Sequence, residues 1–287
     1  MDDNLPPAQA APFGLPGHSL VAIEGADAAR FAHAQFMSDV AALADGHWHW
    51  SGWLTPKGRV IALFALLRFD AQSLWLLLPD ADPDALRTAL QRFVFRSKVT
   101  LAVRDDRHVS AAFAAPASTS GARIGNVDAI ELDMGTPGSP RRLAIGERTA
   151  PVDDDAAARW TSFDLAHGLP RLDASQVEQW TPQQLSLDRL HAYSVKKGCY
   201  PGQEIVARTH FLGQAKRGLV LFEAEGIVPV GSDVVDGERA IGTVISSVAR
   251  EGGCDLLAVL PLEADTARLQ AGGQPLLPRP LLQGLAR

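Results

Sequence analysis

Short apolar runs separated by turn-forming residues fill the first hundred positions. His18 to Ile23 reads as a strand, and Gly25-Ala26-Asp27 opens a helix over 28–42, with Phe31, Phe36 and Val40 spaced for one core-facing side. A strand His47–Leu54 follows, then the turn Thr55-Pro56-Lys57-Gly58 and the apolar strand Arg59–Phe69. Asp70 to Ser73 turns the chain into a third strand, Leu74–Leu78. Asp82-Pro83 begins a helix through about Val94, before a strand Val99–Val103. A strand–strand–helix–strand order implies an antiparallel sheet with a helix packed on one face.

Ala115 to Gly121 is the clearest loop. Short strands near Ile124–Leu132 and Arg142–Ile145 come next, then an acidic cap at Asp153–Asp155 beginning a helix through Leu165. Gly168-Leu169-Pro170 breaks that helix. The stretch 171–195 carries no clear period. Beyond Gly213 short strands recur at Gly218–Glu223, Arg239–Val248 and Asp255–Pro261, the pattern of a small all-β barrel. Residues 1–17, rich in Pro and Ala, read as a flexible lead-in.

With 287 residues the chain is long enough for two or three compact units, and its 46% hydrophobic content suits a soluble globular protein. No apolar run approaches the roughly 18 residues of a spanning helix. The acidic start, Met1-Asp2-Asp3-Asn4, lacks a secretory signal's basic beginning and apolar core, so a cytoplasmic protein is expected, with no membrane association. The net charge of −6, without a dense Lys/Arg run, speaks against direct nucleic-acid binding. Two cysteines make no disulfide framework, and an iron–sulfur cluster normally takes about four thiolates. No zinc pattern is present, and His47 and His49 fall on one side of a strand; no metal site is expected.

Chemistry concentrates in Lys197-Gly198-Cys199-Tyr200-Pro201-Gly202-Gln203-Glu204. One thiol lies between two glycines, beside an ammonium and ahead of a helix, a setting that favours thiolate. The glycines permit close backbone approach or positive φ, and Pro201 suits a first helical turn. Lys196, Lys197, Arg208, Lys216 and Arg217 form a local basic cluster able to hold an anion on an acidic protein. Cys199 is therefore the candidate reactive residue. As a nucleophile it needs a base, for which His191 and His210 are nearest in sequence. Cys254 lies in a barrel turn without basic neighbours and reads as structural.

The octapeptide resembles the signature of the YgfZ-type folate-binding proteins, which are implicated in iron–sulfur cluster assembly and repair and are relatives of the glycine cleavage T-protein, an aminomethyltransferase. Further pieces are similar in order: Gly25-Ala26-Asp27-Ala28 with Gln35 to Val40, Thr55-Pro56-Lys57-Gly58-Arg59, Gly168-Leu169-Pro170, and Val206-Ala207-Arg208. The resemblance spans about 18–260. It implies an α+β, T-protein-like ring: a split folate-binding domain (18–48 and 122–213), a ferredoxin-like antiparallel sheet domain (49–114) and a C-terminal β-barrel (214–287). It also implies tetrahydrofolate, or a derivative, as cofactor in a central cavity. Trp160, thirty-nine positions before Cys199, stands where the family has a folate-associated tryptophan. Lys197 and Arg208 are expected to face the folate's glutamate tail or the thiolate. Gly198, Tyr200, Gly202, Gln203, Glu204 and His18 complete the expected site.

Three departures bear on activity. Leu63 stands where the transferases carry an Asp that positions the reacting folate nitrogen, and leucine cannot serve as a base. Ala166 stands where relatives tend to have a carboxylate for the pterin edge, and His18 where a relative uses tryptophan; Gln203 or Glu204 are the substitutes to consider. The resemblance thus implies an accessory protein for iron–sulfur enzymes, including tRNA-modifying ones, rather than an enzyme. Its partners would be folate and iron–sulfur client or assembly proteins, with a monomer as default. A folate-dependent aminomethyltransferase is the alternative, and a folate-free thiol enzyme the third reading.

Overall fold

The computed structural model describes residues 11–126, 129–211, 213 and 215–287. The chain begins with β1 (Phe13–Gly14), β2 (Ser19–Glu24) and α1 (Ala28–Gln35). Next come β3 (His47–Leu54), β4 (Val60–Arg68), β5 (Ser73–Leu78), α2 (Pro83–Gln91) and β6 (Thr100–Val103). Strands β2 to β6 form an antiparallel sheet in the order β3-β4-β5-β2-β6. Its strands read as nearly continuous apolar runs because both faces are covered. Val21, Ile23, Phe64, Leu66 and Leu76 meet Phe31, Leu86 and Leu90 of the two helices, while Leu20, Trp50, Leu63, Leu67 and Leu77 face the centre of the molecule. Asp82 caps α2 by accepting from the Ala85 N–H at 2.9 Å.

The helix expected over 28–42 stops at Gln35. Phe36 is extended (φ −95°, ψ 155°) and bridges to Trp53. Leaving the helix there buries Phe36, Met37 and Val40 completely. Packing overrides the local period at this point.

A second sheet combines β1 with β7 (His108–Ala112), β8 (Gly125–Asn126), β9 (Ile130–Asp133) and β10 (Arg142–Gly146), in the order β1-β7-β10-β9-β8. Against it lies α3 (Asp154–Ala166), whose cap Asp153 accepts from the Ala156 N–H at 2.9 Å. This corrects two expectations. Residues 11–17 are no flexible lead-in, since Phe13 pairs with Ala111 and Phe13 and Leu15 are buried; the rest of the expected lead-in lies outside the described residues. The boundary between 48 and 49 falls inside β3, and β2 and α1 belong to the first sheet rather than to a separate unit.

The third part starts with α4 (Gln203–Phe211). It continues through β11 (Arg217–Ala224), β12 (Asp233–Asp236), β13 (Arg239–Arg250), β14 (Gly253–Pro261), β15 (Gln270–Ala271), β16 (Gln274–Pro275) and β17 (Leu277–Arg279). These strands make one antiparallel, barrel-like sheet, β16-β15-β12-β13-β14-β11-β17, around Phe222, Val234, Val244, Leu256 and Leu260.

One residue ties the three parts together. Arg171 donates through Nε to Asp80 at 2.8 Å, at the end of the first sheet, and through Nη1 to Thr161 of α3 at 3.1 Å. Its backbone N–H and carbonyl both meet the Ser246 hydroxyl of β13, at 3.0 and 2.8 Å. The last residues also pack into the centre: the Trp50 indole donates to the Leu285 carbonyl at 2.9 Å, and Leu285 is buried.

Candidate functional site

The octapeptide folds as a loop closed on itself and docked on the turn after β3. Gln203 Nε2 donates to the Lys197 carbonyl at 3.0 Å, and the Tyr200 hydroxyl to the Ser194 carbonyl at 3.0 Å. Tyr200 is buried, which pushes its phenol pKa up. Gly202 has φ +78°, and a Cβ there would stand 2.7 Å from both Gly58 Cα and the Thr55 carbonyl oxygen. The Thr55–Gly58 turn is held by Gly58 N–H donating to the Thr55 carbonyl at 2.9 Å, and Arg59 reaches Gln179 from it at 2.7 Å. The two glycine motifs, distant in sequence, are therefore one backbone-to-backbone contact. Helix α4 begins at Gln203, after Pro201 and Gly202 rather than at Pro201.

Lys197 departs from its expected role. The residue is 6% exposed, and its ammonium donates to the carbonyls of His33, Phe36 and Ser38, the last at 3.0 Å. It closes the carbonyl end of α1, as cations do at helix C-termini, and lies 4.7 Å from the Tyr200 ring centroid. Burial pulls its pKa down to about 8. With its protons taken by carbonyls, it is not a free cation for a glutamate tail or a thiolate. Nearby, Ser38 Oγ bridges His49 Nε2 at 2.8 Å and Ser51 Oγ at 2.6 Å, and burial pulls the His49 pKa down to about 4.

Cys199 is exposed, as are Gly198, Glu204 and Arg208. No hydrogen bond from His191 or His210 to its sulfur occurs among the described residues, so the expected base for a folate-free thiol enzyme is missing there. Cys254 is buried in β14, its thiol donating to the Gly226 carbonyl at 3.2 Å, in keeping with a structural role.

Trp160 is elsewhere. It is 2% exposed on α3 and packs edge-on to Phe13 (centroids 6.1 Å apart), with the Arg141 guanidinium stacked on it at 3.5 Å. His18, Trp50, Arg141, Trp160 and Asp164 line a narrow hollow of about 20 Å³. His18 is neutral: burial first, then the charges of Arg171 and Arg141, hold its pKa well below the imidazole range. The structure thus brings His18 and Trp160 together but sets neither the octapeptide nor Gln203 and Glu204 against them. Sequence reasoning missed Arg141 and Asp164. The signal available was Asp164 itself, one helical turn after Trp160 and on the same face of α3.

A larger hollow of about 430 Å³ lies on the other side of the Arg171–Asp80 pair. Leu63, Leu86, Leu172 and Val177 make its walls apolar, with Asp80 and Asp82 at its rim. Its size and walls fit an aromatic ring system. Among the described residues no helix is long and apolar enough to cross a membrane, and no group of three or more His, Cys, Asp or Glu could hold a metal.

The class of protein follows from comparison of this architecture with solved structures. The fold is that of the glycine cleavage system aminomethyltransferase T: the Bartonella henselae protein superposes with a TM-score of 0.73, covering 94% of this chain and 85% of that one at 16% identity. In sequence the chain is homologous to proteins named tRNA-modifying protein YgfZ, which bears out the YgfZ-type resemblance. The Shigella sonnei protein is 29% identical over 264 residues (82% of this chain, 80% of that protein), and the Klebsiella pneumoniae protein 28% over 269 residues (84% and 82%). An uncharacterized Haemophilus influenzae protein is 28% identical over 266 residues (88% and 90%). No protein-family model matches the chain.

Proposed function

We propose that the chain is a cytoplasmic folate-binding accessory protein that supports assembly or repair of iron–sulfur enzymes, tRNA-modifying ones included, and offers Cys199 as an accessible thiol. The observation that carries this reading is Leu63. On the resemblance it holds the place of the transferases' folate-positioning Asp, and its side chain lines an apolar, ligand-sized hollow. A ring system seated there meets no polar group at position 63, and the two carboxylates in the lining, Asp80 and Asp82, are already engaged by Arg171 and by the start of α2. Ala166 adds no carboxylate. The aminomethyltransferase fold is thus retained with binding space and without the polar group that transfer needs. The names of the homologues support the tRNA-modifying part of the reading.

When bound, tetrahydrofolate would supply one-carbon chemistry. Leu63, Leu172 and Val177 would exclude water around its ring, while Cys199 stands in solvent, open to a client or an oxidant. Isothermal titration with tetrahydrofolate tests the binding step, expected at micromolar affinity. Deleting the gene and assaying a radical iron–sulfur tRNA-modifying enzyme tests the role. Unchanged modification, under oxidative stress as well, would remove this reading, and turnover of a one-carbon donor by the purified protein would replace it with a transferase.

A further inference from the structure

Helix α2 ends at Gln91 and runs into Arg92-Phe93-Val94-Phe95-Arg96-Ser97-Lys98. The backbone stays tightly turned there, the Phe93 N–H donating to the Leu90 carbonyl at 2.9 Å and the Val94 N–H to the Gln91 carbonyl at 3.1 Å. With the chain so wound, two aromatic rings stand in water. Phe93 is 46% exposed and Phe95 74%, the most open large apolar side chain among the described residues. Both rings are held. Phe93 meets the Trp53 ring edge-on, centroids 5.8 Å apart, and the Arg96 guanidinium lies over Phe95 at 5.0 Å. Arg92, Arg96 and Lys98 are exposed beside them, and among the described residues no carboxylate forms an ion pair with any of the three. Asp27, which reaches this loop, is engaged by the Lys98 backbone N–H at 2.8 Å and by Arg30 at 3.1 Å. Cations suit the carbonyl end of a helix for reasons of folding alone; two adjacent open rings do not.

The patch shares its scaffold with the thiol loop. Trp53, which holds Phe93, is bridged to Phe36, whose carbonyl accepts from Lys197. Two residues after Trp53 begins the Thr55–Gly58 turn on which Gly202 packs. Exposed aromatics among unpaired cations, on a chain of net charge −6, are complementary to an acidic surface with apolar recesses. A nucleic-acid strand needs a longer cationic track, whereas these charges crowd into one loop. We infer that the Arg92–Lys98 loop is a protein-docking surface whose partner presents an acidic face with an apolar recess for Phe95. Phe95 is the anchor, and Arg92, Arg96 and Lys98 select the partner by charge. Trp53 fixes the loop before the partner arrives. The inference rests on the accessory-protein reading, in which that partner is an iron–sulfur client.

The test measures binding of the full chain to a purified radical iron–sulfur tRNA-modifying enzyme by biolayer interferometry, with transfer RNA alone as a parallel arm and sedimentation to follow self-association. Expected is a complex that weakens at least about tenfold as salt rises from about 0.05 to about 0.5 M. Phe95→Ser and Arg96→Glu are each expected to weaken it at least about tenfold, with urea midpoints and native Cys199 labelling as in wild type. Arg92→Glu supplies the charge reversal if Arg96→Glu does not fold at its left-handed position, φ +57°. Leu262→Ser, which removes a 65% exposed apolar side chain elsewhere, is expected to bind as wild type does. Wild-type affinity in both loop variants would overturn the inference and leave the accessory reading standing. Binding of transfer RNA that depends on Phe95 would reassign the loop to nucleic acid. A dimer lost in Phe95→Ser would reassign it to a second copy of this chain, and either result overturns the inference. No complex between the wild-type chain and the enzyme would end it as well, while folate titration and gene deletion decide the accessory reading separately.

Discussion

Gly202 and Gly58 touch backbone to backbone: a Cβ at 202 would come within 2.7 Å of the Gly58 Cα. The octapeptide is thus held by a contact that only a residue without a side chain permits, at φ +78°. Gly202→Ala is expected to destabilise the protein by more than about 1 kcal/mol, the left-handed backbone alone costing roughly 1–2 kcal/mol. Gly198→Ala is expected to be neutral within about 0.5 kcal/mol, because nothing stands within 4 Å of the Cβ it would add. Urea unfolding of the two variants checks the contrast, and equal midpoints would show that the docking is unimportant.

The two thiols differ in access. Cys199 is exposed, whereas Cys254 is 0% exposed in β14. A chromogenic disulfide reagent is expected to titrate one thiol in the native protein and two in denaturant, with Cys199→Ser abolishing the native reaction. Two fast native thiols, or none, would contradict the placement of these residues.

Removing the Lys197 ammonium takes its donor from the carbonyls of His33 and Phe36, while the Ser38 carbonyl keeps the Val40 N–H. An unsatisfied buried group costs about 1–3 kcal/mol, so Lys197→Met is expected to lose at least about 2 kcal/mol. The loss appears as earlier thermal unfolding while native Cys199 labelling persists. A variant as stable as wild type but with altered thiol reactivity would return Lys197 to the role of thiolate partner.

Two partly buried histidines contribute to the acid side of the stability profile. The folded-state pKa of His49 is pulled down to about 4, chiefly by burial, and that of His18 is lowered as well. Between the ordinary imidazole pKa of roughly 6.5 and about 4, the unfolded chain binds more protons than the folded one, so stability falls as pH falls through this window. Urea midpoints are expected to drop between pH 7 and pH 5, and by less in His49→Gln. A flat profile, or an identical drop in the variant, would speak against neutral His49.

Most of the fold is legible in the sequence where local pattern and packing agree. The His47–Leu54 strand, the Asp82 and Asp153 caps and the barrel-like strands after residue 216 are each written in period, cap or turn chemistry. Phe36 shows where this ends: a helical spacing continues past it, yet the burial available beside Trp53 draws the chain out of the helix. The candidate site was legible only by half. The octapeptide marks itself, but whether Lys197 points to the thiol or to the end of α1 depends on residues some 160 positions away. Arg141 carries no local mark, because Arg141-Arg142-Leu143 reads as an ordinary strand entry.

Arg171 grips a carboxylate of one sheet, a hydroxyl of the helix on another and a hydroxyl of the third. It also stands between the two hollows, with Asp80 lining the larger and Asp164, 3.6 Å from its Nη1, lining the smaller. A guest touching the carboxylate in either chamber therefore meets a partner of the same guanidinium.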